Sequence, residues 1–372
     1  MASRETICAM ALSVMFPNRF GVLRQLYERV GCASDIIDNA SDLKALVPDL
    51  NSDKFSIDAT KLRECVDRAQ SEAEHAEERG IKCVSIDMAS YPTRLREVCC
   101  DAPLVLYLKG NANLNAKHIL SVVGTRNSTS YGHDMVDNIV GELAQYFPDL
   151  LIVSGLAYGT DVNAHRAALD NHLPTVGVLA HGLDRLYPAT HQTVANRMLE
   201  AGGLLTEFVM GTKIETYNFL RRNRIVAGLA EATLVIESKE KGGALATARL
   251  ANDYSLAVMA CPGRVTDETS KGCNKLIQSH QASLLTCAAD VVEQLGWQVD
   301  KHDMEPLPSL FDIDLSGEEK VVYDCLDAEG KDINYVISHS GMAINVVMSV
   351  LSELEFRGLV RQLPGAKWRQ LN

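Results

Sequence analysis

The sequence lacks long apolar runs. In 372 residues nothing approaches the roughly 18 consecutive apolar side chains that a membrane-spanning helix needs, which argues against a membrane association. It also lacks an export signal: MASRETICAMALSVMFPNRF has short apolar patches but no h-region ending in a small-residue cleavage site, so a cytoplasmic protein is expected. Ten cysteines are present, yet none is spaced as CxxC or paired with histidine at zinc-binding intervals. Reduced thiols, with no metal and no cofactor, are the expectation. Positive charge is short as well. There are 36 Lys and Arg against 48 Asp and Glu, a formal net charge of −12, which argues against a surface that coats nucleic acid all over but leaves room for one concentrated site. For its length, the acidity is densest after residue 298.

What is present is a chain long enough for two or three domains. Residues 1–112 read as mostly helical: DATKLRECVDRAQSEAEHAEERG opens on the helix-starting Asp58 and stops at Gly80. The strand-like IKCVSI and PLVLYLKG follow, around a helical YPTRLREV. Residues 113–297 alternate apolar strand runs (ILSVVG, LLIVSG, TVGVLAHG, GGLLTEF, ATLVIES, LAVMACPG and, more weakly, ASLLTC) with helical patterns. That alternation predicts an α/β fold, a doubly wound and mainly parallel sheet covered by helices on both faces. Residues 298–316, acidic and carrying Pro306 and Pro308, read as a linker. Residues 317–372 give three helical patterns and a hairpin turning at Pro364–Gly365, the arrangement of a winged helix.

In an open parallel sheet, ligands bind beyond the carboxyl ends of the strands. Here those ends carry GTRNSTSYG from Gly124, SGLAYGTDVNAH from Ser154, AHGLDRLYP, TEF, ESKEKGGALATA and CPG. Glycines admit close backbone approach, and each following helix start offers unpaired N–H groups to an anion. Singly each feature has a plain reading: a tight turn, a solvated arginine, Asp161 as a helix cap, His165 as a packing residue. Together they predict phosphate binding in one crevice. Neither GxGxxG nor a GxxxxGK[ST] loop is present, and no catalytic signature stands out, so binding is expected rather than turnover.

The segment NFLRRNRIVAGLAEATLVIES sharpens this. On a helix over residues 216–230, Arg221 and Arg224 share a face, with Gly228 leaving room for something to approach. Arg222 falls in register with Phe219, Val226 and Leu229, toward the protein. Its partner there is either a carboxylate, such as Asp161 or Glu207, or a phosphate.

These motifs, in this order from about Pro92 to Trp297, resemble the DNA-processing protein A (DprA/Smf) family. The likeness rests on Gly124, Arg126, Ser128, Tyr131 and Gly132, then on Ser154, Gly155, Ala157, Gly159, Asp161, Ala164 and His165. It continues through Phe219, Arg222, Asn223, Arg224, Ile225, Ala227, Gly228 and Leu229, then Gly243, Ala244, Leu245, Thr247 and Ala248, and ends on Pro262 and Gly263. It departs at Leu220, Gly242, Ala180, His191 and Pro174, where the family favours other residues. The resemblance implies a Rossmann-like core that binds single-stranded DNA, forms a homodimer and helps load the RecA recombinase in natural transformation or recombination, with a SAM-like N-terminal domain. The expected contact set is Gly124, Thr125, Arg126, Ser154, Gly155, Asn163, Phe219, Arg222, Asn223, Arg224, Lys241 and Gly243. Phe219 or Tyr158 is a candidate for stacking a base, with core packing the alternative for Phe219.

Two other functions remain open to this sequence. A nucleotide-processing enzyme of the phosphoribohydrolase-like group would need a glutamate after the glycine loop, and GGALATARLA has none. A regulator reading duplex DNA through its tail would need a basic second helix, whereas Ile333 to Phe356 holds no Lys or Arg and two Glu.

Overall fold

Residues 2–17, 19–43, 47, 58–299, 315, 317–327, 330–363 and 365–371 are described by a computed structural model. The chain forms two compact units, 1–298 and 299–372. The first unit opens with helices α1 (Arg4–Met15), α2 (Phe20–Val30), α3 (Ala33–Asp38) and α4 (Ala59–Glu78). Helix α4 starts where the sequence predicts, because the Asp58 carboxylate accepts the Lys61 N–H at 2.8 Å and satisfies one of the helix's orphan donors.

Strand β1 (Ile81–Ser85), helix α5 (Thr93–Val98) and strand β2 (Val105–Gly110) come next. The alternating region follows as β3 (Ile119–Val123), α6 (Ser130–Tyr146), β4 (Leu151–Ser154), α7 (Thr160–Asp170), β5 (Thr175–Val178), α8 (Gln192–Glu200) and β6 (Gly202–Thr206). It continues through α9 (Thr216–Leu229), β7 (Ala232–Val235), α10 (Ala244–Asp253), β8 (Ala257–Ala260), α11 (Lys271–Gln278), β9 (Ser283–Leu284) and α12 (Ala288–Leu295). All nine strands join one sheet in the order β1-β2-β6-β5-β4-β3-β7-β8-β9. From β6 to β9 neighbours run parallel, while β2 pairs antiparallel with both β1 and β6. The parallel strands are apolar almost throughout because helices cover both faces.

The expected boundary at residue 112 falls inside this sheet. Tyr107–Gly110 of β2 are in register with Gly203–Thr206 of β6, and the buried side chains of α1 to α4 belong to the same core as β3 to β8. Pairing on β6 gives the main-chain groups of β2 the partners that burial demands. The chain winds outward from β3 to β6, then returns to place β7 on the other side of β3. The switch point of this doubly wound sheet therefore lies between β3 and β7.

The second unit comprises α13 (Gly317–Asp324), β10 (Lys331–Asp332), α14 (Ile333–Ser340), α15 (Ile344–Phe356), β11 (Val360–Leu363) and β12 (Lys367–Gln370). Strand β12 lies between β10 and β11. Helices α14 and α15 meet at 112° across Gly341, whose left-handed φ of 69° ends α14. Val322, Val336, Leu351 and Trp368 form a core of the unit's own, and the whole is a helix-turn-helix with a β-wing. Residues 300–314 and 316 of the expected linker, with Pro306 and Pro308, and Pro364 of the hairpin lie outside the described residues. No single helix among the described residues is long and apolar enough to cross a membrane.

Because Trp368 is buried in a core that contains no residue of the first unit, Trp368→Ala is expected to destabilise the C-terminal unit by about 3–5 kcal/mol. Limited trypsin digestion of the full chain, read by mass spectrometry, should show faster cutting within 317–371 and unchanged protection of 58–298.

Candidate nucleic-acid interface

A cleft of about 600 Å³ opens at the carboxyl ends of β3 and β7, beside the start of α9 and of α10. Of the twelve residues expected at a phosphate site, nine line it: Gly124, Thr125, Arg126, Gly155, Phe219, Arg222, Asn223, Lys241 and Gly243. Arg126, Lys239 and Lys241 are exposed on its edge, and among the described residues none of the three is paired with a carboxylate. Helix α10 begins beside them with Gly243 as N-cap and no side-chain cap; its Leu245 and Ala246 N–H groups turn back onto the Gly242 and Gly243 carbonyls at 3.2 and 3.1 Å, which leaves the positive end of the helix dipole beside the cleft. Asp161 and Glu215 also line the cleft. Even so, with Arg222 its charge is positive in a chain of net charge −12.

One wall is aromatic. Phe219 is half-buried, with the Arg126 guanidinium carbon 5.9 Å from its ring centroid and Tyr187 packed edge-on at 6.0 Å. Tyr187 also lines the cleft, whereas Tyr158 instead packs edge-on against His191 at 5.0 Å and is absent from the cleft wall.

Arg222 forms the floor. It is buried, and its partner is neither of the carboxylates considered above: it donates to the main-chain carbonyls of Gly155, at 2.7 Å, and Val178 and to the Asn223 side chain. Glycine at 155 makes room for this arrangement, since a Cβ there would overlap the guanidinium where it now lies. Burial works to lower the Arg222 pKa while Asp161 works to raise it, and burial prevails. Burial likewise lifts the Asp161 carboxyl above its ordinary range against the opposing pull of Arg222.

Three expected contacts are corrected. Arg224 is buried on the far side of α9, where Nη2 meets Glu207 at 2.5 Å and Nη1 donates to the Asp101 carbonyl at 2.6 Å. Burial opposes its charge, but Glu207 and Asp101 outweigh that and hold its pKa above the ordinary value. Arg221, sharing that face, joins Glu207 at 3.0 Å and stacks 3.7 Å over Phe20. Gly228 makes room for Leu95 of α5, not for a ligand. Ser154 is fully buried and donates to the Val122 carbonyl at 2.6 Å, stitching β4 to β3. Asn163 faces α6, donating to the His133 carbonyl and to Asp137, both at 3.4 Å. His165 is a core residue: fully buried, with Nδ1 2.7 Å from the Thr175 hydroxyl.

Lys239, Tyr187 and Glu237, which lie within the motifs ESKEKGGALATA and AHGLDRLYP, also belong to this region, though the motifs alone do not single them out. Glu237 and Lys239 are marked by their place just past the carboxyl end of β7, whereas Tyr187 lies farther along the loop after β5 and carries no such signal.

With this geometry in view, residues 82–296 match the family model described as DNA recombination-mediator protein A, and residues 308–366 match the DprA winged helix domain. A DNA processing protein DprA from Mycobacterium tuberculosis is 37% identical over 326 residues, covering 84% of this chain and 82% of that protein. The X-ray structure of DprA from Streptococcus pneumoniae superimposes with a TM-score of 0.62 at 29% identity, over 76% of this chain and 97% of that one. DprA from Helicobacter pylori, whose structure is described for its unique single-stranded DNA binding mode, gives 0.52 at 25% identity, over 59% and 98%.

Two outcomes follow from the buried groups. Glu207→Gln leaves Arg221 and Arg224 without their shared carboxylate and should cost about 3–5 kcal/mol in urea unfolding; a loss below about 1 kcal/mol would contradict the ion-pair assignment. Burial pulls the His165 imidazole down to about 3, so below pH ~6.5 the unfolded chain takes up a proton that the folded chain refuses. The stability His165 contributes is present above that pH and is lost toward pH 3 at up to about 1.4 kcal/mol per unit. His165→Gln should flatten the acid limb of a stability–pH curve by that amount.

Proposed function

The chain belongs to the DNA recombination-mediator protein A (DprA/Smf) family, and we propose that it binds single-stranded DNA in the β3–β7 cleft and promotes loading of the RecA recombinase onto that strand. The observation that carries the DNA half of this reading is the set of exposed cations Arg126, Lys239 and Lys241, none paired with a carboxylate among the described residues, beside the start of α10 at the switch point of the sheet. Lysine and arginine on such a rim hold phosphodiesters without reading sequence. Phe219, with Tyr187 at its edge, supplies a sequence-tolerant surface for a base. Arg222 acts from beneath, holding the ends of β4 and β5 so that the loops above keep their shape.

The RecA half, the homodimer and a cytoplasmic site of action are part of the same proposal, supported by membership of a mediator family and carrying no residue assignment. Single-strand binding by the Helicobacter pylori relative supports the choice of ligand. A binding role without chemistry fits the absence of a carboxylate between Gly243 and Ala248. The C-terminal winged helix is assigned a protein-contact role, since α15 holds no Lys or Arg and so lacks the cations that duplex binding needs.

Three phosphate contacts predict a log–log salt slope of roughly −2 for a labelled oligothymidylate, at about 0.7 per contact on single strands. Arg126→Ala and Lys241→Ala should each remove about one contact's share of that slope. A flat salt response, or a slope unchanged in the double variant, would overturn the cleft as the binding site. RecA nucleation on the same strand, followed with and without the chain, tests the second half independently.

A further inference from the structure

Helix α6 follows the central strand β3 at the switch point, and the start of that helix is where an open α/β sheet usually seats a nucleotide phosphate. In this chain the position is already filled. Glu237, two residues past the end of β7, is buried. Its Oε2 accepts the Thr129 N–H at 2.8 Å and the Ser128 hydroxyl at 3.0 Å, and its Oε1 accepts the Thr129 hydroxyl at 2.8 Å. Thr129 is the N-cap of α6, and its hydroxyl oxygen also takes the Gly132 N–H at 3.3 Å. A Cβ at Gly132 would overlap the carboxylate, so the helix start is shaped around it. Among the described residues no lysine or arginine pairs with Glu237. Its negative charge is met by two hydroxyls, a main-chain N–H and the positive end of a 17-residue helix, the donor set that would hold a phosphate monoester.

We infer that Glu237 is a built-in substitute for a phosphate: it closes the α6 helix start to free mononucleotides and, by tying residues 128 and 129 to β7, holds Arg126 at the cleft edge. The donors left open, Arg126, Lys239 and Lys241, lie along a rim and not at the bottom of a socket. They suit a phosphodiester passing across the cleft better than a terminal phosphate entering it. Glu237 is thus a specificity-determining residue that favours a nucleic-acid strand over its monomers. The preference for a strand rests on the DNA-binding reading above, whereas closure of the helix start does not.

The probe is inorganic phosphate, compared with chloride at equal ionic strength. In the unaltered chain, phosphate up to about 20 mM should leave the Thr129 and Gly132 amide resonances in place, and a saturable shift of either would overturn the inference. Glu237→Ala empties the position. Its thermal unfolding temperature should then rise by roughly 1–3 °C in phosphate over chloride, with adenosine monophosphate acting likewise. A folded variant with no such rise would also overturn it. Should the variant not fold, the amide measurement on the unaltered chain decides. In a third arm, phosphate should compete with oligothymidylate several-fold more strongly on the variant than on the unaltered chain, and equal competition would reject the strand preference. Failure of the unaltered chain to bind oligothymidylate at all would sink the DNA reading while leaving the phosphate arms to judge Glu237.

Discussion

Arginines pointing to opposite sides of one helix have to be neutralised inside the molecule, and the way α9 achieves this organises much of the first unit. A buried charge without compensation is prohibitively costly. On one side, Arg221 and Arg224 converge on the Glu207 carboxylate at the end of β6. Arg221 adds the Phe20 ring at the start of α2 and the Pro17 carbonyl from the turn before it. On the other side, Arg222 gathers the carbonyls of Gly155 and Val178 from the ends of β4 and β5. One helix therefore fixes the N-terminal helical layer against the sheet and sets the floor of the cleft.

That division explains how an acidic protein presents a cationic site. Guanidinium groups that would otherwise add to the surface potential are spent on internal partners, and the exposed cations of the cleft come from loops instead: Arg126 after β3, Lys239 and Lys241 after β7. The topology places these loops side by side because β3 and β7 are neighbours whose connections leave in opposite directions. Cations on adjoining loops repel one another unless an anion comes between them, so the rim is poised for a ligand that carries charge at intervals.

The C-terminal unit follows a different logic. Its helix-turn-helix geometry is that of duplex readers, but geometry alone does not attract a polyanion. Ile344 and Met348 lie one turn apart on the exposed side of α15, with Phe356 at its end. A cation-free helix surface that exposes these three side chains among Ser and Glu residues suits contact with protein better than the release of counterions from DNA.

Sequence alone determined the strand–helix alternation, the Asp58 start of α4, the winged-helix hairpin and the fact that Arg222 points away from Arg221 and Arg224. All of these depend on local periodicity and capping, which neighbouring residues decide. It also located the cleft, since glycines, arginines and lysines at the ends of parallel strands can meet only on one edge of such a sheet. Tertiary structure alone decided what each arginine faces. Glu207 lies 17 residues from Arg224 and Gly155 lies 67 from Arg222, and nothing local distinguishes a carboxylate neighbour from a carbonyl or a phosphate. The same holds for Glu237, 108 residues from Thr129, and for β2, whose antiparallel place beside β6 joins a segment that the periodicity set apart. Periodicity fixes the direction of a side chain from its own helix; only the packing of distant segments fixes what lies in that direction.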